Sequence, residues 1–222
     1  MPELNAYCVK HYDLGLRPSD KFVDLVSRVE IPQHSRIIDV GCGNGRNTLY
    51  LASLGSQVHA VDISRNALSE LERRAGLPGV KITALENRMD QLDFNNEFFD
   101  YGVSWRVFHI GRPEENRAAI GEMRRVLKKG ALAFIAVAAS YGKTFWERST
   151  RYGFVDKNTI QYQSNGFLHT KHYFSEEELS DYFRGFDIQD KALFEEQSGH
   201  SQLMKHVYWA LIMRRKHDTK TG

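Results

Sequence analysis

The segment RIIDVGCGNGRNTLYLA, residues 36–52, constrains the fold more than any other part of the chain. A short apolar run ends at Val40, glycines follow at alternate positions 41, 43 and 45, and a helical pattern comes next. Glycine tolerates positive φ and lets the backbone approach a ligand closely, so we expect a strand, a tight turn and a helix. Such a unit favours a parallel sheet with a ligand at the carboxyl end of its first strand.

The chain continues as an alternation of strands and helices. The predicted strands are RIIDV, QVHAVDI, VKITAL, FFDYGVS and ALAFIAVA, and the predicted helices between them are GRNTLYLASLG, SRNALSELERRAG and PEENRAAIGEMRRVLKKG. The last of these helices is expected to end at Gly130. This alternation predicts an α/β fold, a doubly wound Rossmann-like sheet covered by helices on both faces.

The last third of the chain departs from this rhythm. Residues 140–174 are rich in aromatic, polar and histidine residues without a clear period, and we expect a long loop that serves a site or a lid. A helix, SEEELSDYFRGF, and two strand-like runs, FDIQDKALFEEQS and QLMKHVYWALIMRRK, come after it. The break at Gly199, His200 and Ser201 predicts a hairpin between these two runs.

Composition limits the function classes. The 222 residues include 41% hydrophobic and 26% charged residues, as expected for one folded domain. A formal charge of +2 calls for no nucleic-acid partner, and Cys8 and Cys42 suggest neither a metal site nor a disulfide. No leader opens the chain and the longest apolar run, residues 131–139, is too short to cross a bilayer. We therefore expect a cytoplasmic protein without a membrane partner.

The spacing of the glycines separates three kinds of ligand. A dinucleotide turn requires a third glycine where Arg46 stands, which argues against a nicotinamide-dependent dehydrogenase. A phosphate-binding Walker loop requires Gly-Lys followed by Ser or Thr, and the chain has no such tripeptide. The remaining interpretation is a turn whose backbone lies against a flat ligand, whose polar end meets the amides of the following helix.

Two carboxylates flank the turn. Asp62 ends the second strand at the position where an acid accepts both ribose hydroxyls of a nucleoside. Asp39 precedes the turn, where it would repel a pyrophosphate and attract an ammonium group. This pattern favours S-adenosylmethionine. In the alternative, the turn binds nothing and Asp62 only caps the helix that starts near Ser64.

The segments DVGCGNGRNTLYLA, VHAVDIS, FFDYGVS and LKKGALAFIAV resemble, in order and spacing, the cofactor-side motifs of class I S-adenosylmethionine-dependent methyltransferases. This resemblance implies a seven-stranded sheet whose final strand is antiparallel. It also divides the chain into N-terminal helices that act as a lid (residues 1–35), a cofactor-binding core (36–139) and a substrate-side region with an insertion after the fifth strand (140–222). Within the superfamily, GCGNGRNTLYLASLG resembles the tellurite-resistance and small-molecule thiol or chalcogen methyltransferase branch.

The resemblance implies a set of cofactor contacts. The methionine portion would lie against the turn, the ribose on Asp62, and the adenine on Ile63. After the fourth strand, the segment from Ser104 to His109 would line the cofactor. The full set of expected cofactor-binding residues is Asp39, Gly41, Cys42, Gly43, Asn44, Gly45, Asp62, Ile63, Met89, Asp90, Ser104 and Trp105.

One position departs from the family pattern. An acid often stands four residues before the leucine of an L-P-F segment, where it meets the adenine amino group. Here the segment is LDF and that position is Arg88. A carboxylate from Asp90, or the backbone of Met89 with apolar walls alone, remains open as the replacement.

Methyl transfer from a sulfonium needs chiefly an acceptor held in line with the departing sulfur. A general base is needed only for a nucleophile that arrives protonated with a high pKa, as an alcohol or amine does. Candidate bases or substrate contacts are His109, His169, His172 and His200, although each alone is better explained as an ordinary packing or surface residue.

The acceptor site is expected over the carboxyl ends of the strands. Residues that would form it are Tyr7, His11 and Tyr12 as a lid, and Tyr141, Trp146 and Arg148 from the region after the fifth strand. Aromatic and basic side chains suit a small planar or anionic acceptor. Methylation of RNA or protein, or a non-catalytic cofactor-binding module, are the alternatives.

Overall fold

The computed structural model of the chain describes residues 17–76, 80–164, 167–198 and 201–217. Within these ranges the helices are α1 Asp20–Ser27, α2 Arg46–Ser53, α3 Arg65–Arg74, α4 Pro113–Val126, α5 Lys143–Tyr152 and α6 Glu176–Tyr182. The strands are β1 Arg36–Val40, β2 Gln57–Asp62, β3 Lys81–Glu86, β4 Phe99–Trp105, β5 Leu127–Ala138, β6 Thr159–Ser164, β7 Phe167–His172, β8 Phe186–Ser198 and β9 Ser201–Arg215.

Seven strands form one sheet in the order β3-β2-β1-β4-β5-β9-β8. The first five are parallel to one another, whereas β9 is antiparallel to both β5 and β8. The predicted doubly wound sheet with an antiparallel last strand is therefore confirmed. The strand order reverses between β1 and β4, and in open α/β sheets a ligand binds at the carboxyl ends of the strands beside such a reversal.

Helices cover both faces of this sheet. Ile37 and Ile38 of β1 point to opposite faces and each is fully buried, in two different core clusters. On one face, Phe22 of α1 packs edge-on against Trp105, with ring centroids 5.1 Å apart, and against Phe134. Helix α1 thus packs on the sheet. The residues expected to form a lid, Tyr7, His11 and Tyr12, lie outside the described residues.

The prediction that α4 extends to Gly130 is wrong. The helix ends at Val126, and β5 begins at the next residue, Leu127. Leu127 pairs with Phe99 of β4 in the sheet, and its side chain is fully buried. Pairing with a neighbouring strand outweighs the helical pattern of the basic residues that follow. Gly130, with φ +77°, lies inside β5.

The expectation of an irregular region over residues 140–174 is also wrong. Helix α5 and the antiparallel β6–β7 hairpin occupy most of it. Each element is short and buries few apolar side chains, so no period shows in the sequence. Phe145, Ile160 and Tyr173 form a separate core cluster with Tyr208 of β9, which anchors the insertion to the sheet.

The predicted C-terminal hairpin is confirmed. Strands β8 and β9 pair from Phe186 and Arg215 up to Ser198 and Ser201, and Gly199 and His200 lie outside the described residues. Among the described helices, none combines the length and the apolar character that a membrane crossing requires.

Candidate functional site

The three glycines of the turn after β1 serve different purposes. All three have positive φ, at +73°, +56° and +88° for Gly41, Gly43 and Gly45. A Cβ atom on Gly41 would lie 2.2 Å from Cγ2 of Val107, and one on Gly45 would lie 2.3 Å from Cδ1 of Leu71. A Cβ on Gly43 would meet nothing within 4 Å. Protein packing therefore accounts for two of the glycines, and only Gly43 leaves open space at the turn.

Asp62, at the carboxyl end of β2, is held by backbone amides. The Gly43 amide donates to Oδ2 at 2.7 Å, and the Ser64 amide donates to Oδ1 at 2.9 Å. A carboxylate has about four lone-pair sites, so about two remain for a further donor. The cap of α3 is Ser64 itself, whose hydroxyl accepts from the Ala67 amide. The carboxylate of Asp62 thus ties the turn to β2 and keeps accepting capacity.

Asp39 is buried beneath the turn, with 2% of its surface exposed. The Thr48 hydroxyl donates to its Oδ2 at 2.7 Å. Burial, with a smaller contribution from the charge of Asp62, raises the pKa of Asp39 to about 6, against the opposing effects of Thr48 and Arg46. The Asp39 carboxylate lacks a full counter-charge, which favours a cation nearby.

A crevice of about 420 Å³ opens at the carboxyl ends of β1, β2 and β4. Five of the residues predicted to bind a cofactor line it, namely Gly41, Asp62, Ile63, Met89 and Asp90. Its volume lies within the usual range for small-molecule sites.

Arg88 and Asp90 form an ion pair at the wall of this crevice. The guanidinium donates to both carboxylate oxygens, at 2.9 and 2.7 Å. This bidentate pairing lowers the pKa of Asp90 and keeps it ionised. The residue that breaks the family pattern, Arg88, therefore fixes a neighbouring carboxylate at the crevice.

Several residues that line the crevice are absent from the sequence prediction: Val40, Val61, Asn87, Val107, Ile110, Gly111 and Glu115. Asn87 directly follows β3, and Glu115 lies in the first turn of α4. Glu115 Oε2 accepts from the Arg112 amide at 2.7 Å in a capping box. Position just after a strand and the capping pattern were the available signals for these two residues.

Comparisons with known proteins agree with this geometry. Residues 37–130 match the family model described as a methyltransferase domain. The probable S-adenosyl-L-methionine-dependent methyltransferase TehB of Haemophilus influenzae is 27% identical over 178 residues, which are 75% of this chain and 62% of TehB. Residues 37–130 of the chain are therefore similar in sequence to a methyltransferase domain.

Two further similar proteins differ in how much of the chain they cover. The cypemycin N-terminal methyltransferase of a Streptomyces species is 31% identical over 131 residues, which are 57% of this chain and 53% of that protein. The chain thus spans less than two thirds of the length of this relative and of TehB. A solved S-adenosylmethionine-dependent methyltransferase from Methanosarcina mazei has a TM-score of 0.75 at 22% identity, covering 90% of this chain and 99% of that one.

S-adenosylmethionine, the cofactor that the sequence motifs predict, fits the residues of the crevice together with those of the glycine turn beside it. Asp62 retains accepting capacity that suits a ribose diol, and Asp39 supplies negative charge that suits an ammonium group. Gly43, whose amide binds Asp62, leaves open space at the turn. The two carboxylates therefore match the two polar ends of the cofactor, its ribose and its amino group.

Other predicted cofactor residues lie away from the crevice lining. Trp105 is buried against Phe22 and Phe194 in the core. Ser104 is fully buried. Cys42 is buried too, and this burial raises the pKa of its thiol. Asn44 is exposed at the turn.

The candidate bases take different positions in the structure. His109 is 3% exposed, its Nδ1 accepts from the Ala138 amide at 3.2 Å, and burial lowers its pKa well below the ordinary value. His172 is buried, with Nδ1 2.8 Å from the Thr159 hydroxyl, and burial lowers its pKa. His169 is exposed and stacks on Tyr162. His200 lies outside the described residues.

The predicted acceptor residues of the insertion lie at its surface. Tyr141 packs edge-on against Trp209, and Trp146 is 62% exposed. Arg148 is partly buried and donates to the Tyr162 hydroxyl at 3.0 Å. No group of three or more His, Cys, Asp or Glu side chains that could hold a metal ion occurs in the described part of the chain.

Proposed function

We propose that the chain transfers the methyl group of S-adenosylmethionine to a small-molecule acceptor by in-line displacement. The observation that carries this proposal is the presence of two carboxylates, Asp39 and Asp62, at the glycine turn of the switch point, where Gly43 leaves open space. One acid suits the cationic amino-acid end of the cofactor and the other suits its sugar. A cofactor fixed at both ends presents its sulfonium in one orientation.

When bound, S-adenosylmethionine supplies an activated methyl group, and its sulfur leaves with the C–S electron pair as the acceptor's lone pair forms the new bond. The residues of the chain contribute positioning. Asp62 accepts a hydrogen bond from the Gly43 amide and so fixes the turn. Arg88 fixes the Asp90 carboxylate, which we propose lies beside the adenine. Val107 and Ile110 exclude water on the side of the crevice that follows β4.

The location of the insertion supports a small acceptor. Helix α5 and the β6–β7 hairpin lie over the carboxyl end of β5, where Ala139 bridges to Phe174. Strand β7 also pairs with the loop after β4, through Ile110 and Lys171. These connections enclose a region next to the crevice. Such a region suits a small molecule as acceptor better than an RNA or a protein. We include in the proposal a cytoplasmic location and no nucleic-acid or membrane partner.

The test is methyl transfer from S-adenosylmethionine carrying a labelled methyl group. The acceptor panel comprises thiols, halides, selenite, tellurite, phenols and hydroxybenzoates, together with a short peptide and bulk RNA. We expect labelled product from a member of the small-molecule panel. Cofactor binding with label found solely on the peptide or the RNA contradicts the small-molecule acceptor, and absence of cofactor binding contradicts the whole proposal.

A further inference from the structure

Three cationic side chains from separate parts of the chain meet beside the crevice. They are Arg106 directly after β4, Arg148 of α5 and Lys171 of β7. The ring of Tyr208 lies 4.8 Å from the Arg106 guanidinium and 5.7 Å from the Lys171 ammonium. Arg148 lies beside Tyr173, whose ring lies 5.0 Å from the Lys171 ammonium. Burial, and then the charges of Arg148 and Arg106, lower the pKa of Lys171. We call these three residues the cationic cluster.

The charge of the cationic cluster is not balanced by the described residues. Glu196 pairs with Arg106 at 3.3 Å, but it also pairs with Arg46 at 3.0 Å. Arg148 bonds to the Tyr162 hydroxyl, which is neutral. In the four described ranges, Lys171 makes no ion pair, and its neighbours are the rings of Tyr173 and Tyr208. Among the described residues, Glu196 is thus shared between Arg46 and Arg106, and a second anion would relieve the repulsion within the cationic cluster.

The backbone of the cluster carries strain. Arg106 has φ +71°, in the left-handed region that non-glycine residues rarely adopt. Its amide donates to the Ala136 carbonyl at 2.9 Å, so the sheet holds it in that conformation. Strained residues of this kind concentrate at functional sites.

The cationic cluster is joined to the crevice by a short ladder. Lys171 bridges to Ile110, and the Gly111 amide donates to the Thr170 carbonyl at 2.9 Å. Ile110 and Gly111 both line the crevice, and Val107, which lines it too, is next to Arg106 in the chain. A molecule held by the cluster would thus lie beside the cofactor.

We propose that Lys171, Arg106 and Arg148 bind the carboxylate of the methyl acceptor, and that the acceptor is a small organic acid with an apolar body. Guanidinium groups match a planar carboxylate with two parallel hydrogen bonds. The rings of Tyr173 and Tyr208 lie beside Lys171, and Arg106 and Arg148 each lie over a tyrosine ring, which favours an anion attached to an apolar body over a strongly hydrated inorganic oxyanion. This inference rests on the proposed function and specifies its acceptor.

Burial and the neighbouring cations lower the pKa of Lys171 to about 7. The other titratable groups near it are His109, His172, Tyr173, His206 and Tyr208. Burial lowers the pKa of His206 to about 3 and raises that of Tyr173 to about 12, and the pKa values of His109 and His172 are lowered as well. Between pH 7 and 9, Lys171 is therefore the group of this set that loses a proton. A bound carboxylate would keep it protonated.

The first experiment needs no ligand and compares Lys171→Met with the wild-type chain by thermal unfolding. Removing an uncompensated charge is expected to raise the unfolding temperature by about 2 to 4 °C at pH 6.5. The Lys171 amino group has a pKa of 10.5 in the unfolded chain and about 7 in the folded one. Because the folded protein loses this charge as the pH rises to 9, the difference in unfolding temperature between Lys171→Met and the wild-type chain becomes smaller. The matched control is Lys143→Met, because Lys143 is 87% exposed on α5. A lower unfolding temperature for Lys171→Met means that the lysine is a packing residue and overturns the proposal.

The second experiment measures binding of benzoate, benzamide and selenite to the full chain saturated with S-adenosylhomocysteine, by calorimetry. Benzoate and benzamide share a ring and differ in charge. We expect benzoate to bind at least about tenfold more tightly than benzamide, with affinity falling as salt rises. Lys171→Met should remove this preference, Lys171→Arg should retain most of it, and Lys143→Met should leave it unchanged.

The outcomes separate this inference from the proposed function. Equal binding of benzoate and benzamide, absence of benzoate binding, or a preference unaffected by Lys171→Met overturns the acid-binding role. Binding of selenite without benzoate overturns the organic acceptor. Charge-selective binding that depends on Lys171, together with no methyl transfer to any acid tested, supports the site and counts against the proposed function instead.

Discussion

Thr48 donates a hydrogen bond from its hydroxyl to the buried carboxylate of Asp39, at 2.7 Å. This contact joins the first turn of α2 to the end of β1 directly beneath the glycine turn. It is the main interaction that opposes the rise in the pKa of Asp39. The pair therefore sets the pH at which the proposed ammonium site loses its negative charge.

We expect the affinity for S-adenosylmethionine to fall as the pH drops below about 6, where Asp39 takes up a proton. Thr48→Val removes the hydrogen bond and should move this fall to higher pH. Calorimetric dissociation constants between pH 5 and 8 measure both effects, and Asp39→Asn should give a weak affinity with a flat profile. A flat profile for the wild-type chain contradicts the ammonium contact.

Asp62→Ala should weaken S-adenosylmethionine binding by at least about tenfold. The substitution removes the acceptors proposed for the ribose, and a hydrogen bond to a charged group contributes about 1.5–3 kcal/mol. It also releases the Gly43 and Ser64 amides. Calorimetry with a circular-dichroism check on folding is the measurement, and the exposed Asp93→Ala is the control. Affinity equal to that of the control would remove Asp62 from the site.

Gly43 and Gly41 should respond differently to substitution. Asn tolerates a left-handed backbone, so Gly43→Asn places a side chain in open space at little cost and should abolish cofactor binding in a folded protein. Gly41→Ala forces a methyl group against Val107 and should lower the free energy of unfolding by about 1–3 kcal/mol. Binding titrations and chemical denaturation distinguish the two. Retained binding in Gly43→Asn speaks against the open space as ligand volume.

His169 and His109 provide a test for a general base. His169→Ala should leave turnover measurable at pH 9, because this exposed side chain stacks on Tyr162 at the surface of the insertion. His109→Ala should lower the free energy of unfolding by about 1–3 kcal/mol, since the buried Ala138 amide loses its acceptor. Complete loss of activity in folded His169→Ala would identify that residue as a base.

Asp90→Asn should reduce the preference of the crevice for adenosine over inosine as competitors of cofactor binding. Arg88 holds the Asp90 carboxylate ionised, and an ionised acid accepts from the adenine amino group but repels the inosine carbonyl. Competition calorimetry gives the ratio of the two affinities. An unchanged ratio favours the backbone of Met89 as the contact to the base.

The sheet was predictable from sequence because turn residues mark where its strands end. Strand β1 has the predicted bounds, since an apolar run meets a glycine turn, and β8 has them too. The end of α4 was not predictable, because the pairing of Leu127 with Phe99 joins residues distant in the chain and outweighs local pattern. Tertiary contacts of this kind leave no local signal.

The candidate site was likewise predictable only in part. Asp62 ends β2, and Gly41 and Ile63 directly follow β1 and β2, so the strand-end rule predicted their place at the crevice. Trp105 also ends a strand, yet its side chain enters the core beside Phe22. The bridge between Lys171 and Ile110 depends on how the insertion folds back over β4, so sequence alone gave no reason to choose that lysine.

The most direct test of the account is a crystal structure of the chain with S-adenosylhomocysteine. We predict that the ribose hydroxyls lie within about 3 Å of the Asp62 carboxylate oxygens and that the amino-acid end lies along the turn at Gly43. Density for the ligand elsewhere on the protein, or a crevice that takes up NAD in preference to S-adenosylhomocysteine, would contradict the account.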